Sequence, residues 1–434
     1  MVFWKDLQKK LKNQGDLSKI LANVMWLFLD KGLKMLAGLL IGSWVARYLE
    51  PVQFGLLNNA TAIAVIAGAF ATLGLDNIVI RDLIKTPERK NALLGTTFVL
   101  KLAGSVLTIT CLLFFVWILN PEDQLSLTLL ALISIGLIPQ SLESIDMYFQ
   151  SKIQSRLTII SKTVGLLIAS GFKIAFIVLK KPLIYFALAQ SIEIFFASAA
   201  LFFIYQQRGF SVFDWIWDKN LAKSLITQSW ALMFSAIFVI VNMQIDKVMI
   251  TYLSSEYEAG IYSTAASLSQ LWYFLPVFVG ASFMPRLTAS FSADKILYYK
   301  QLQQIFRFMN ALAVLLSVFI FFASDLIIDL LFGEKYANSA NILSVHVWSA
   351  IFIFHVSIRT KTFIIEGHQH LVGIFSLIVM LSNIVFNFLL IKDFGGLGAS
   401  YASLLSWGIS ALIAPLFFAK SRSSVQMFWR SFWV

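Results

Sequence analysis

The sequence has little charge: Asp, Glu, Lys and Arg together make up 13% of its 434 residues, whereas soluble domains carry about 25%. Hydrophobic residues make up 59%, so a water-soluble globule would expose more apolar surface than soluble proteins tolerate. Abundant apolar side chains also exclude a disordered chain. The single cysteine, Cys111, excludes an internal disulfide and a thiolate metal cluster. The composition therefore indicates an all-α polytopic membrane protein, and we expect neither a metal nor a cofactor.

Long apolar runs recur along the whole chain. A helix needs about 20 apolar residues to cross about 30 Å of hydrocarbon, and these runs are too long and too little alternating to be barrel strands. We expect no cleaved signal peptide, because residues 1–19 are polar and basic and the apolar run after them is too long. We predict twelve transmembrane helices, at 20–49, 54–75, 91–119, 125–148, 157–179, 183–206, 223–253, 259–284, 304–332, 341–363, 368–391 and 396–419.

Basic residues are distributed unequally between the two sets of loops. Both termini and the loops on their side hold most of the Lys and Arg residues, including Arg359 and Lys361. The opposite loops are at most eight residues long and hold only Lys180, Lys181, Lys335 and Lys392. This asymmetry predicts that both termini are cytoplasmic. The net charge of +11 is explained by these loops, so we expect no nucleic-acid partner.

The longest internal polar break, 207–222, divides the predicted spans six and six. It contains Phe210, Phe213 and Trp217 at helical spacing, which is typical of a segment at the headgroup level. We therefore predict a cytoplasmic N-terminal segment (1–19), an N-lobe (20–206), a cytoplasmic interfacial linker (207–222), a C-lobe (223–419) and a cytoplasmic tail (420–434).

The two halves resemble each other weakly. Tyr48-Leu49, Gly55 and Ala60 in the first half correspond to Tyr252-Leu253, Gly260 and Ala265 in the second. An even number of spans in each half predicts repeats of parallel topology, related by an axis along the membrane normal. A substrate path between two such bundles is then the expected site.

Ionisable residues inside the predicted spans cost about 2.5–3.5 kcal/mol each at a helix centre, so we expect them to face the bundle interior. They are either internal ion pairs that fix helix register, as the one-turn spacing of Asp30 and Lys34 allows, or the lining of a wet cationic cavity for an anionic lipid head. Lys101 could instead extend its amine to the membrane surface. The candidate substrate-binding residues are Lys31, Lys34, Arg47, Lys101, Lys162, Lys173 and Lys247, and the candidate ion-coupling residues are Asp30, Glu193 and Asp246.

Catalytic signatures are weak or absent. No GxxxxGK[ST] phosphate loop occurs, and the short outer loops leave no room for the outer domain that a polysaccharide polymerase or ligase needs. The turn after the second span, DNIVIRDLIKTPERK (76–90), lacks the basic motif of sugar transporters of the major facilitator type. We therefore expect a transporter and not an enzyme.

Four segments resemble bacterial polysaccharide flippases, the O-antigen and exopolysaccharide exporters of the multidrug/oligosaccharidyl-lipid/polysaccharide (MOP) superfamily. They are ARYLEPVQFGLLNNATAIA (46–64), IDKVMITYLSSEYEAGIYSTAASLSQLWYFLP (245–276), LFGEKYANSANIL (331–343) and NIVFNFLLIKDFGGLGASYASLLSW (383–407), with GLDNIVIRDL (74–83) beside the first. The residues that match the family pattern are Arg47, Gly55, Asp246, Gly260, Tyr262 and Gly398. Lys392-Asp393 departs from that pattern, because relatives usually carry a proline turn there.

The resemblance implies a MATE-like fold of two six-helix lobes around a V-shaped cavity that opens alternately to each side. The implied cargo is an undecaprenyl-pyrophosphate-linked oligosaccharide, moved from the cytoplasmic to the periplasmic leaflet of the bacterial inner membrane. The implied partners are H⁺ or Na⁺, polysaccharide polymerases and glycosyltransferases. A cation-coupled multidrug antiporter, with Asp30 as the coupling acid, is the alternative.

Overall fold

The computed structural model describes the backbone of residues 14–432, and the side chains of that range except those of 14–31, Leu33, Lys34, Leu36, Ala37 and Ala281. Helices make up nearly all of the described range, which contains no β-strand.

The α-helices of the first half are α1 (Gln14–Ala71), α2 (Asp76–Lys85), α3 (Lys90–Leu119), α4 (Gln124–Ser134), α5 (Leu137–Gln140), α6 (Ser144–Ser151), α7 (Ser155–Val178) and α8 (Leu183–Gln207). Those of the second half are α9 (Lys219–Leu253), α10 (Glu256–Gln270), α11 (Phe274–Ala293), α12 (Lys295–Phe332), α13 (Ser339–His346), α14 (Ser349–Ile365), α15 (His370–Gly408) and α16 (Arg422–Arg430). Short 3₁₀ turns join several of them, and a π-helix, Ile409–Ile413, follows α15.

Two of the long helices contain a sharp break. In α1 the break is at Glu50 (φ 61°, ψ 168°), because the following Pro51 excludes the helical conformation from the residue before it and offers no N–H. In α15 it is at Gly395 (φ 55°, ψ −133°), a conformation that glycine adopts readily because it has no Cβ.

Within the described residues, nine segments are long and apolar enough to cross a bilayer, or ten when the bent pair Glu256–Gly280 and Ser282–Ala293 counts as one span. Two of the nine, Gly38–Lys85 and His370–Phe417, are 48 residues long, about 72 Å if straight and far more than a bilayer needs. Each contains one of the breaks and overlaps two predicted spans, although Gly38–Lys85 includes only residues 38–49 of the first. The total of twelve spans remains a prediction.

Two compact units form within the chain. Unit 1 comprises Ala67–Met233 with the chain before Ser43, and unit 2 comprises Ser43–Ile66 with the chain from Phe234 onward. In unit 1 the buried apolar core joins α2, α3, α6, α8 and the start of α9. In unit 2 a buried core joins α11, α12 and α14. The proposed lobe boundaries of 20–206 and 223–419 remain a prediction.

The predicted interfacial linker packs against the start of α3 in unit 1. The backbone N–H of Ile216 donates to the carbonyl of Asn91 (3.1 Å), and that of Asp218 donates to Thr96 Oγ1 (3.1 Å). Asp218 accepts from two N–H groups in the first turn of α9 and pairs with Arg89, which lowers the pKa of its carboxyl below the usual range.

The linker is mostly not helical, contrary to the spacing of its aromatic residues. Only Val212–Asp214 forms a short 3₁₀ turn, and the N–H groups of Ile216 and Asp218 donate to α3 instead of to a helix of the linker. The side chain of Phe213 is nevertheless 86% exposed, and Trp217 is also exposed. Exposed aromatic residues beside basic ones suit the predicted headgroup position.

Gly55 of α1 and Gly260 of α10 lie where these two helices of unit 2 cross at very short distance. A Cβ on Gly55 would overlap the carbonyl oxygen of Glu256, and a Cβ on Gly260 would overlap that of Pro51. Pro51 corresponds to Glu256 at the same sequence offset as Gly55 to Gly260, so the crossing is symmetric. The weak internal repeat therefore has a structural counterpart here.

Candidate functional site

Asp246 of α9 is the centre of a buried polar cluster in unit 2. Its carboxylate accepts hydrogen bonds from Tyr262 Oη (2.5 Å), Asn387 Nδ2 (2.7 Å) and Ser403 Oγ (2.9 Å). Asn387 Nδ2 also donates to Asn383 Oδ1 at 3.0 Å. Side-chain donors of α10 and α15 therefore converge on a single carboxylate of α9 in the interior of this unit.

Two oxygen atoms beside Asp246 lack a donor among the described residues. They are Asn242 Oδ1, one helical turn before Asp246, and Asn387 Oδ1. Buried polar atoms without a partner are uncommon in folded proteins. Amide and carboxylate oxygens in this arrangement offer ligands to a hard cation or acceptors to a proton carrier.

The Asp246 cluster borders a cavity of ≈ 370 Å³ inside unit 2. Its polar lining includes Asn242, Asp246, Gln270, Tyr273, His346 and Lys361, and valines from α9, α11, α14 and α15 form much of the apolar wall. His346 Nδ1 is hydrogen-bonded to Ser269 Oγ at 2.9 Å. The size is within the range of small-ligand pockets, so water and ions fit beside Asp246.

Two other candidate residues of unit 2 make local contacts. Arg47 donates to the carbonyls of Leu331 (2.9 Å) and Leu330 (2.6 Å), so it caps the C-terminal end of α12, where free carbonyls favour a cation. Lys247 donates to Gln244 Oε1 at 3.1 Å. In this conformation the Arg47 side chain therefore has a structural role at the end of α12.

The candidate lysines of unit 1 pair with carboxylates of neighbouring helices. Lys162 Nζ of α7 lies 3.0 Å from Asp146 Oδ2 and 3.7 Å from Glu143 Oε1. Lys173 Nζ, on the same helix, lies 3.7 Å from Glu193 Oε2 of α8. A cavity of ≈ 160 Å³ borders Glu143, Lys162 and Glu193. The cluster contains three carboxylates and two ammonium groups, so its formal net charge is negative. The lysines alone had indicated a cationic cavity.

Lys101 of α3 is buried and does not extend to the surface. Its side chain is 4% exposed, and its Nζ lies 2.8 Å from Oδ1 of Asp76, whose side chain is 54% exposed. The ion pair joins α3 to the first turn of α2. Of the alternatives considered from the sequence, Lys101 therefore forms an internal ion pair in this structure.

The Lys101–Asp76 pair yields an asymmetric stability prediction. Asp76→Asn leaves the buried ammonium without a neutralising partner and should lower the free energy of unfolding by about 3 kcal/mol. Lys101→Met removes the buried charge and leaves a hydrated carboxylate, so it should cost less than about 1 kcal/mol. Thermal unfolding of the two purified variants compares them, and equal losses would contradict this account.

Three further candidates lie outside the described side chains. They are Asp30, Lys31 and Lys34, on the early part of α1. Their pairing and their roles remain predictions.

Sequence reasoning placed Arg359 among the basic loop residues, but it is buried in α14 and only 1% exposed. Its guanidinium donates to the carbonyl (2.6 Å) and Oγ (3.2 Å) of Ser410 in the π-helix and lies over the Phe375 ring at 4.2 Å. Asn387 and Ser403 were also missed. The sequence did contain a signal for this cluster. It is the pair Asn383 and Asn387, which lie one turn apart in an otherwise apolar span.

Comparisons with known proteins give family matches along residues 20–432. A family model described as "Polysaccharide biosynthesis protein" matches residues 20–291, and one described as "Lipid II flippase MurJ" matches residues 217–432. The capsular polysaccharide biosynthesis protein CapF of Staphylococcus aureus is 26% identical over 210 residues, which are 47% of this chain and 52% of that protein. The chain thus aligns with about half the length of this curated relative.

Solved structures share the fold at low sequence identity. A lipid II flippase MurJ in an inward closed conformation superposes with a TM-score of 0.70 at 14% identity, covering 95% of this chain and 91% of that one. An inward-facing multidrug resistance MATE family transporter of the MOP superfamily gives 0.68 at 11%, covering 94% and 96%. The predicted polytopic all-α, MATE-like fold is therefore confirmed.

Proposed function

The chain belongs to the polysaccharide biosynthesis protein family, and from that premise we propose that it is a flippase for a lipid-linked oligosaccharide. The proposed cargo is an undecaprenyl-pyrophosphate-linked oligosaccharide, turned from the cytoplasmic to the periplasmic leaflet of a bacterial inner membrane for O-antigen or exopolysaccharide synthesis. The N-lobe and C-lobe would alternate access around a V-shaped cavity, with both termini cytoplasmic. The match of residues 217–432 to the lipid II flippase family carries this proposal.

We propose that Asp246 carries the coupling ion, H⁺ or Na⁺. The carboxylate is buried with three donors around it, and unpartnered amide oxygens lie beside it. A cation that binds one conformation better than another shifts the population between them. Asp246 would then link ion entry to the rearrangement of α9, α10 and α15.

The ion pairs of unit 1 supply a second route to coupling. Glu193, a proposed ion carrier, lies 3.7 Å from Lys173, a proposed cargo ligand. Neutralisation of Glu193 by a proton would release the ammonium of Lys173 for the pyrophosphate, and binding of the pyrophosphate would favour that protonation. In the same way, neutralisation of Glu143 and Asp146 would release the ammonium of Lys162.

Deletion of the protein followed by leaflet-resolved labelling of lipid-linked sugars tests the proposed function. We expect the lipid-linked oligosaccharide to accumulate on the cytoplasmic leaflet, with loss of surface polysaccharide. Accumulation on the periplasmic leaflet would place the defect after translocation and contradict a flippase.

Replacing Lys31, Lys34, Lys162 and Lys173 together by alanine tests the cargo-binding lysines. Surface polysaccharide export should fall at least about tenfold, because each lost charge-assisted contact to phosphate costs about 1.5–3 kcal/mol. Lys219→Ala, at an exposed lysine of the linker end, is the matched control and should export normally. Unchanged export in the fourfold variant, at equal protein level, would refute this assignment.

A cation-coupled multidrug antiporter is the second candidate function. The observation in its favour is the negative sum of charge around Glu143, Asp146 and Glu193, which removes the repulsion that unpaired lysines would exert on a cationic guest. If this is the function, overexpression should give resistance to cationic dyes. Deletion of the protein should then leave polysaccharide export unchanged. The family matches favour the flippase.

A further inference from the structure

A groove of ≈ 220 Å³ lies between α11 and α12 in unit 2, and it shares no lining residue with the cavity beside Asp246. Its polar lining is Arg286, Gln301 and Gln304, and its apolar wall is Phe283, Leu287, Ile305 and Phe308. The groove therefore combines one cationic head with an apolar slot, which is the chemistry of an amphiphile with an anionic head.

Arg286 differs from most cations described above. Lys101, Lys162 and Lys173 each pair with a carboxylate, and Arg47 caps a helix. The exposed guanidinium of Arg286 has neither an ion pair nor a hydrogen bond to any residue in the described part of the chain. Its five donors are therefore available to a ligand in the groove.

The position of the groove along α12 matches the edge of the hydrocarbon. The charged residues Lys295, Lys300 and Arg307 occupy the first third of α12, and the next charge is Asp325. The uncharged stretch between them, 308–324, is about 26 Å long, close to the hydrocarbon thickness of about 30 Å. Phe308 thus begins the apolar stretch, and Gln301 and Gln304 precede it at the headgroup level.

We propose that this groove binds an anionic phospholipid of the surrounding leaflet. Arg286 pairs with the phosphate through the bidentate geometry that guanidinium and phosphate share, the amide of Gln304 adds a hydrogen bond, and one acyl chain covers Phe283, Leu287, Ile305 and Phe308. Lys295 and Lys300 near the turn make the site repel a cationic choline head and favour a net negative lipid. Free phosphate would leave the apolar wall unfilled.

Thermal unfolding of the purified full chain in detergent, with added phosphatidylglycerol or phosphatidylcholine, tests the site. Phosphatidylglycerol should raise the Tm of the wild type more than phosphatidylcholine does. In Arg286→Ala the phosphatidylglycerol concentration for the same shift should rise about tenfold. Lys85→Ala, at an exposed lysine of α2 in unit 1, is the matched control and should change that concentration much less.

A second variant tests the apolar slot. Phe308→Ser should weaken the response to phosphatidylglycerol while leaving the Tm without lipid close to that of the wild type, because this side chain is exposed in the structure. Equal shifts in the wild type and Arg286→Ala, or equal shifts with the two lipids, would overturn the proposal. So would an Arg286-dependent shift given by a polyprenyl phosphate and not by phosphatidylglycerol. Because the readout is lipid binding without transport, it is independent of the flippase assays.

Discussion

Asp246→Asn should reduce polysaccharide export by about tenfold or more while the protein remains folded. The asparagine keeps the shape of the side chain and an oxygen that Tyr262 and Ser403 can reach, but it removes the charge that would bind H⁺ or Na⁺. Coupling free energies between two sites are about 1–3 kcal/mol, or roughly 5- to 150-fold, which sets the expected size. Export is measured as surface polysaccharide at matched protein level.

Asp246→Ala separates the role of the charge from that of the hydrogen bonds. It leaves the donors of Tyr262, Asn387 and Ser403 without an acceptor, at about 1–3 kcal/mol for each buried group, so the Tm should fall as well as the export. Asp393→Asn, at an exposed aspartate of α15, is the matched control and should leave both unchanged. Full export by Asp246→Asn would refute its assignment as the coupling acid.

Gly55→Ala and Gly260→Ala should both destabilise the protein strongly, although each adds only one methyl group. The new Cβ would overlap a backbone carbonyl at the crossing of α1 and α10, and a backbone cannot move aside as a flexible side chain can. Overpacking of this kind costs about 1–3 kcal/mol or more, and the close helix contact is lost with it. Thermal unfolding and the yield of monodisperse protein measure the effect.

Gly171→Ala provides the comparison for this pair. Gly171 lies inside α7 with no atom within 4 Å of an added Cβ, so the change should be neutral or stabilising by up to about 1 kcal/mol through helix propensity. If all three variants unfold alike, the crossing is looser than the structure shows. If only one of the two crossing glycines is sensitive, the contact lacks the symmetry described above.

The fold could be predicted from the sequence because hydrocarbon imposes length and apolarity on each span, and both are visible in single runs of residues. The break at Glu50 is likewise a local effect, because Pro51 directly follows it in the sequence. The helical spacing of the linker's aromatic residues does not correspond to a helix, because the N–H groups of Ile216 and Asp218 donate to α3, a partner that no local spacing reveals. The family resemblance supplied Asp246 and Tyr262 but not the rest of the cluster.

The candidate site was only partly predictable because its pairs join different helices. Spacing within a helix shows which residues share a face, as with Lys162 and Lys173, but not that Asp146 and Glu193 lie opposite them. The lysines alone therefore indicated a cationic cavity, and Asp146 and Glu193, together with Glu143 just before α6, reverse the sign of the formal charge. Arg359 was assigned to a loop because basic residues near span ends are usually exposed, whereas Ser410 and Phe375 hold it inside.

The π-helix after α15 makes the length of this segment as important as its composition. A π-turn closes its hydrogen bond across one residue more than an α-turn, so deletion of a single residue within 409–413 would restore a regular helix. The deletion would remove the local bulge that turns the Ser410 carbonyl towards Arg359, and it would shorten the path to the turn at Ala414–Phe417, after which Phe418 contacts Phe375. Homologous chains should therefore tolerate substitutions here far more readily than insertions or deletions.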